Sequence, residues 1–256
     1  MKHNIFTFTI LTAIVLSGVI FWETGLVWFI VGMLGLIYLA VIAYGAYQIQ
    51  ANYFIHSINK GKKKSVALTF DDGPDPEYTP QILDILKEKN VKATFFVIGK
   101  KAERYPELVK RIDEEGHIVA NHSYSHHYFL PFFWSSGLTD DLSKCNDAIE
   151  QIISKTPLFF RPPFGVTTPR YSGAIKKNGL SSIGWSLRTL DTKAKTKYQL
   201  IDKVISLLKK GDIILLHDRL SVTCEALPDV IEHIATRKLT IEPLPVVINK
   251  KAYAES

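Results

Sequence analysis

Cysteine is nearly absent. The 256 residues hold two, Cys145 and Cys224, with no C-x-x-C partner, which excludes a disulfide framework and a thiolate metal site and decides nothing about compartment. Dense basic runs are equally scarce: despite a formal net charge of +6, the only cluster is Lys60 to Lys64, without interleaved aromatics, so nucleic acid is not an expected partner. Hydrophobic residues at 46% and charged residues at 22% exclude a disordered, collagenous or low-complexity chain. No internal repeat and no Pro/Gly/Ser-rich linker divides Ser65 to Ser256, which therefore reads as one domain. The sequence carries no signal for an oligomeric state.

The N-terminal segment lacks charge. Between Lys2 and Lys60 only Glu23 is formally charged, and it sits in a Glu23-Thr24-Gly25 turn between two apolar stretches, Ile5 to Trp22 and Leu26 to Tyr44. Each approaches the ~20 residues that a ~30 Å hydrocarbon core demands at 1.5 Å rise per residue. A cleaved signal peptide is the competing reading of the first stretch. Its apolar run exceeds the ~7–15 residues of a signal core, lacks a small-x-small cleavage site and is followed by a second span, which favours a two-helix membrane hairpin. Trp22, Trp28 and Tyr44 lie near the span ends, where an interfacial aromatic belt would place them. The predicted organisation is a transmembrane hairpin plus short connector over residues 1–60 and a single folded domain over residues 61–256.

After Lys64 short apolar runs alternate with helix-length amphipathic segments. The pattern predicts strands at Val66–Phe70, Ala93–Ile98, His117–Ala120, Leu158–Phe160, Ser181–Ser186, Ile213–Leu216 and Leu239–Glu242. Helices are predicted near Thr79–Lys89, Lys101–Glu115, Leu138–Ser154, Pro169–Asn178, Tyr198–Lys209 and Glu225–Thr236. Such alternation implies a parallel α/β sheet, and about seven units in this length suggest a distorted (β/α) barrel, with an open doubly wound sheet as the alternative.

The polar residues that follow the strands are not scattered. Strand one runs into Asp71-Asp72-Gly73-Pro74, the third into His122 and His126, the fourth into Arg161-Pro162-Pro163-Phe164-Gly165, the fifth towards Asp191 and the sixth into His217-Asp218. Parallel barrels build their sites at that end of the strands. Two histidines four apart and a carboxylate from another strand supply three N/O ligands. That number suits a catalytic divalent ion, zinc above all, which lowers the pKa of a water towards ~7 and polarises a carbonyl. Taken alone, the histidine pair and the Asp-Asp-Gly-Pro turn each have plainer readings, as loop histidines and as a strand-closing turn. Adjacent residues on an extended chain point oppositely, so Asp71 and Asp72 divide naturally into one ligand and one base. His117 reads as a packing residue, and His127 has no assigned role.

Thr69-Phe70-Asp71-Asp72-Gly73-Pro74, His122-Ser123-Tyr124-Ser125-His126, Arg161-Pro162-Pro163-Phe164-Gly165 and Leu215-Leu216-His217, in this order, resemble the motifs of NodB-type polysaccharide deacetylases, carbohydrate esterase family four. The resemblance covers Ser65 to Leu244. It implies a distorted barrel and metal-dependent removal of N-acyl groups from amino sugars of a polysaccharide, peptidoglycan or lipid-linked glycan. It further implies that Asp72, His122 and His126 hold the metal, Asp71 is the general base and His217 the general acid. Arg161 would orient the base, the Phe164 amide would assist the oxyanion, and Leu215 would line the acetyl pocket. A fourth motif departs: where members often read Asp-x-x-Asp-Trp, Arg188-Thr189-Leu190-Asp191-Thr192 keeps only the second acid, which can still pair with His217.

Chemistry supports the same division of labour. Amide hydrolysis needs a strong nucleophile, a stabilised oxyanion and a proton for nitrogen, and the metal, Asp71 and His217 with Asp191 answer those needs. No G-x-S-x-G is present. An O-acetyl polysaccharide esterase and a non-catalytic membrane-anchored carbohydrate-binding module are the alternatives. Lys2 and the Lys60–Lys64 cluster favour a cytoplasmic catalytic domain by the positive-inside rule, whereas the resemblance favours the outer face. Finally, Tyr128 to Trp134 form a bulky apolar loop directly after His126. It is expected either to pack over the barrel mouth or to face a membrane lipid.

Overall fold

The computed structural model describes residues 2–255. In chain order the elements are α1 (Lys2–Phe21), α2 (Leu26–Tyr47), β1 (Ser57–Ile58), β2 (Ser65–Gly73), α3 (Tyr78–Glu88), β3 (Thr94–Val97), α4 (Gly99–Arg104), α5 (Pro106–Glu114), β4 (Ile118–Asn121) and α6 (Ser135–Ile153). There follow β5 (Phe159–Phe160), α7 (Tyr171–Lys177), β6 (Ser181–Ile183), β7 (Leu187–Arg188), α8 (Lys197–Leu207), β8 (Ile213–His217), α9 (Ser221–Thr236), β9 (Thr240–Ile241) and α10 (Leu244–Ile248).

Eight strands form one curled parallel path in the order β1-β6-β5-β4-β3-β2-β8-β7, and β9 joins the start of β2, with Ser65 opposite Thr240. Among the described residues no pairing closes β7 onto β1, so the expected distorted barrel is present with a gap at that seam. β2 pairs with β3, β8 and β9, and all nine of its residues are buried, as a parallel strand covered on both faces requires. Its period of two sorts the faces. Leu68 and Phe70 pack outward on Ile82, Leu83 and Leu86 of α3 and Leu227 and Val230 of α9. Ala67 turns inward with Phe96, Phe159, Ile183 and Ile213, and α10 plugs that end with Leu244 and Val247. The same alternation carries Thr69 and Asp71 inward, towards the C-terminal end of the strands.

Several boundaries differ from the sequence pattern. β1 and β7 are strands of two residues, too short to show alternation, and β1 lies inside the stretch expected to be a mere connector. Lys60 continues this attachment through an antiparallel bridge and a 3.2 Å ion pair to Asp212. The strand predicted over Ser181–Ser186 stops at Ile183, and the helix predicted over Lys101–Glu115 breaks at Tyr105 before Pro106, which starts α5.

α1 and α2 stand away from the barrel with their apolar side chains exposed, and both are long and apolar enough to cross a bilayer. They pair antiparallel, Phe6 stacked on Tyr38 and Thr7 Oγ1 3.3 Å from the Tyr38 hydroxyl. Lys2 Nζ donates to the Ala51 carbonyl, so the start of α1 and the end of α2 share the barrel side while Glu23 marks the far turn.

Candidate active site

The strand ends converge on a cavity of about 320 Å³ whose lining includes Asp71, Asp72, His122, His126, Phe164, Leu215 and His217. Four strand ends, those of β2, β4, β5 and β8, deliver these residues, and the connection after β7 brings Asp191 to His217.

Asp71 arrives by simple alternation, Asp72 by a backbone break. The β2–β3 register shifts between Asp71 and Gly73, and Asp72 takes φ +75°, a left-handed conformation that Asp tolerates better than most residues. The turn brings two adjacent carboxylates to one pocket. Asp72 Oδ1 lies 3.3 Å from His122 Nε2 and 3.2 Å from His126 Nε2. Burial opposes ionisation of Asp72, yet the imidazoles of His122 and His126 outweigh it and hold the carboxyl well below the usual range.

The two histidines are held by the loop after β4. His122 Nδ1–H donates to the Arg161 carbonyl at 2.8 Å, which leaves Nε2 free. Asp141 of α6 accepts from the backbone N–H groups of Tyr124 and Ser125, and Ser123 and His126 adopt positive φ, so the loop folds back and lays the second imidazole beside the first. Their ring centroids are 5.0 Å apart. The donor set fits a divalent ion: one ligand atom from each of Asp72, His122 and His126 lies within 4.8 Å of the others. Among the described residues, buried His126 Nε2 has no hydrogen-bond partner of acceptable geometry and meets only the Asp72 carboxylate, at 3.2 Å. Three N/O donors leave room for substrate or water.

Arg161 is fully buried beneath Asp71. Its Nη1 donates to Asp71 Oδ1 at 2.7 Å and to Thr69 Oγ1 at 2.9 Å, its Nη2 to the Gly184 carbonyl, and its guanidinium lies 4.1 Å from the centre of the Phe96 ring. Every donor that matters for aiming Asp71 is thereby fixed. Opposite, His217 Nδ1–H donates to Asp191 Oδ1 at 2.8 Å, while the other Asp191 oxygen accepts from the His217 N–H and the Thr223 hydroxyl. Burial pulls the His217 pKa down, but Asp191, aided by the charges of Asp71 and Asp72, raises it above 6.5 overall.

The remaining wall is shaped by Pro163–Gly165. Phe164 has φ +60° and its ring sits 4.7 Å from that of His126. Among the described residues its N–H donates to no group, which leaves that amide available at the pocket. Gly165 has φ +68°, and a Cβ there would collide with the indole of Trp185. Leu215 lines the pocket and packs with Trp185 and Ile49.

Two contributors, Arg219 and Trp185, escaped the sequence reading, and a third, Asp218, entered it only as the neighbour of His217, without a role. Arg219 donates to Asp72 Oδ2 at 2.8 Å, Trp185 forms wall and backing, and Asp218 lies buried behind Gly73, its pKa pushed up to about 7 by burial against the pull of the Thr79 hydroxyl. Arg219 had one available signal: it follows His217 by two residues, beyond the strand end where all other site residues occur. Arg188, noted for replacing an acid, also lines the pocket and is exposed. His117 is buried, with Nδ1 accepting from the Ala93 N–H and a pKa lowered to about 4 by burial, a packing role as expected. The cysteines are free and buried.

The polysaccharide deacetylase profile matches residues 58–183. The chain is 36% identical over 187 residues to a peptidoglycan-N-acetylglucosamine deacetylase of Bacillus cereus, spanning 72% of this chain and 68% of that protein. It is 34% identical over 194 residues to the peptidoglycan-N-acetylmuramic acid deacetylase PdaA of Bacillus subtilis, spanning 74% and 73%. The crystal structure of the Bc1960 peptidoglycan N-acetylglucosamine deacetylase in complex with 4-(naphthalen-1-yl)-N-hydroxybenzamide superposes with a TM-score of 0.73 at 33% identity, covering 77% of this chain and 94% of that one.

Proposed function

The chain belongs to the polysaccharide deacetylase family and is a hydrolase of N-acetyl amide bonds, and from that premise we propose that it removes acetyl groups from amino sugars of a membrane-proximal glycan such as peptidoglycan. The carrying observation is that Asp71 and His217, register partners on β2 and β8, line one cavity together with the Asp72–His122–His126 cluster, so a proton acceptor, a proton donor and a metal-ligand set meet at one site. In this reading residues 61–256 are the catalytic domain and α1 and α2 its two-span membrane anchor.

Asp72, His122 and His126 would hold one divalent ion, zinc by the chemistry of the N/O set, which when bound supplies Lewis acidity towards water and the acyl oxygen. Asp71, aimed by Arg161, accepts the proton of the attacking water. The Phe164 N–H donates to the carbonyl oxygen as negative charge develops on it. His217, kept protonated by Asp191, hands its proton to the sugar nitrogen as the C–N bond breaks, giving acetate and a free amine. Leu215 and Trp185 enclose the acetyl methyl.

Acetate release from N-acetylated and O-acetylated oligosaccharides, with and without chelator, tests the reading. Release from the N-acetylated set, lost on chelation and restored by Zn²⁺, is expected. Full activity at verified negligible metal content, or release from O-acetyl groups alone, overturns it.

A further inference from the structure

The aromatic loop after His126 divides into two halves. Leu130, Pro131 and half-buried Phe133 pack inward, Leu130 and Phe133 in a cluster with Phe54 and Ile55, whereas Tyr128, Phe129, Phe132 and Trp134 are 71%, 58%, 62% and 77% exposed. Among the described residues, the barrel domain exposes eight large apolar side chains, and five of them are these four and Phe164 of the pocket wall. Three of them form a chain of ring contacts that starts at the pocket wall. Phe164 stands 5.8 Å from Tyr128 and Tyr128 5.3 Å from Phe129, measured between ring centroids, so the apolar surface runs outward from the catalytic mouth.

The same surface is tied to the end of the hairpin. Thr167 donates through its N–H to the Ala46 carbonyl at 2.9 Å and through its hydroxyl to that of Gly45. The next residue, Thr168, donates to the Pro131 carbonyl at 2.9 Å, and Arg170 donates to the Phe132 carbonyl while lying over the Trp134 ring at 4.8 Å. One residue step, ~3.8 Å, thus separates the loop's anchor point from that of α2. Behind the pocket, Ile49 packs on Trp185 and Leu215, and Gln50 Nε2 donates to the Trp185 carbonyl. At 22 residues α2 is about 33 Å long, so Gly45 and Ala46 sit where a spanning helix leaves the hydrocarbon, beside exposed Tyr44 and Tyr47.

We infer that the barrel face bearing Tyr128, Phe129, Phe132 and Trp134 lies on the bilayer spanned by the hairpin, so that the pocket takes N-acyl amino sugars presented at that membrane surface. The inference rests on the deacetylase and hairpin readings above. An exposed aromatic patch is costly in water and stable in the interfacial layer, where amphipathic rings collect. Its continuity with the exit point of α2 selects the bilayer over a soluble partner.

The full chain, reconstituted in phosphatidylethanolamine–phosphatidylglycerol vesicles, tests this. Phe132→Cys and, as a control on the exposed face of α8, Tyr198→Cys each receive an environment-sensitive fluorophore. Quenching by nitroxide lipids is expected at position 132 and not at 198. A triple variant, Phe129→Ser, Phe132→Ser and Trp134→Ser, is compared with the unmodified chain on N-acetylglucosamine linked to a membrane lipid and on a soluble N-acetylglucosamine oligomer. Ser at 134 suits the N-cap of α6, and the rate is expected to fall roughly tenfold on the lipid-borne sugar alone. Equal losses on both substrates would make the patch a sugar-stacking platform and overturn the inference, as would a water-exposed probe at 132. Release of the chain by alkaline carbonate would sink the hairpin reading and the docking with it, whereas retention with a wet probe sinks the docking alone. Absence of acetate from either substrate would strike the deacetylase reading, and the probe would still decide the docking.

Discussion

At residue 72 the backbone leaves the strand conformation for φ +75°, and this one torsion separates the proposed roles of two neighbouring carboxylates. Asp71 stays on the inward face under Arg161, while Asp72 swings towards His122 and His126. His126→Ala is therefore expected to lose both metal and turnover. Asp71→Asn should keep stoichiometric metal and lose roughly 10²–10⁴-fold in kcat, the range for a removed general base. Metal analysis beside turnover checks the pair, and metal loss in Asp71→Asn would reverse the roles. A pH profile tests His217. Its pKa is raised above 6.5, so a donor role predicts a rate that holds through the ordinary imidazole range and falls only at higher pH, as the raised pKa is passed. Asp191→Asn removes the partner that raises it and leaves burial, which lowers it, so the alkaline limb of kcat/KM should move to lower pH. A limb that stays in place would detach His217 from proton donation.

The elements contribute through their ends. Strands β2, β4, β5 and β8 are largely buried, and the end of β2 and the loops after β4 and β5 need torsions that regular structure forbids: Asp72, Ser123, His126, Phe164 and Gly165 all have positive φ. Side-chain bonds from neighbouring elements hold these turns, as when Asp141 of α6 accepts two loop N–H groups. Gly165 has least freedom, since its φ is +68° and Trp185 occupies the space a Cβ would need. Gly165→Ala should shift the indole and the Phe164 amide together and destabilise the chain by about 1–3 kcal/mol. The expected signature is a lower Tm and a lower kcat with metal content unchanged. An unchanged kcat would separate this turn from the chemistry.

For the molecule as a whole, the antiparallel pairing of α1 with α2 puts the N-terminus and the barrel on one side of any bilayer the hairpin crosses. Reporters fused to the N-terminus and to the C-terminus should therefore give the same sign of accessibility in intact cells, and opposite signs would exclude a two-span anchor. Much of this architecture could be read along the chain. The hairpin shows in the near-absence of charge before Lys60, the strands in apolar runs of four or more residues, and the site in short polar motifs at their ends. Such features are local, because a strand, a span and a strand-end loop each involve consecutive residues whose periodicity or polarity is visible without a fold. What the sequence left open depends on residues far apart. Arg219 reaches Asp72, Ile49 backs Trp185 and Leu215, β1 pairs with β6, and Thr167 and Thr168 join the end of α2 to the aromatic loop. A two-residue strand is too short to show a period, and an exposed aromatic reads like a buried one until its neighbours are in place. Composition and spacing determined which groups exist and which end of the sheet they follow, but only tertiary packing decided which of them touch, because contact depends on how the sheet curls and where the hairpin docks.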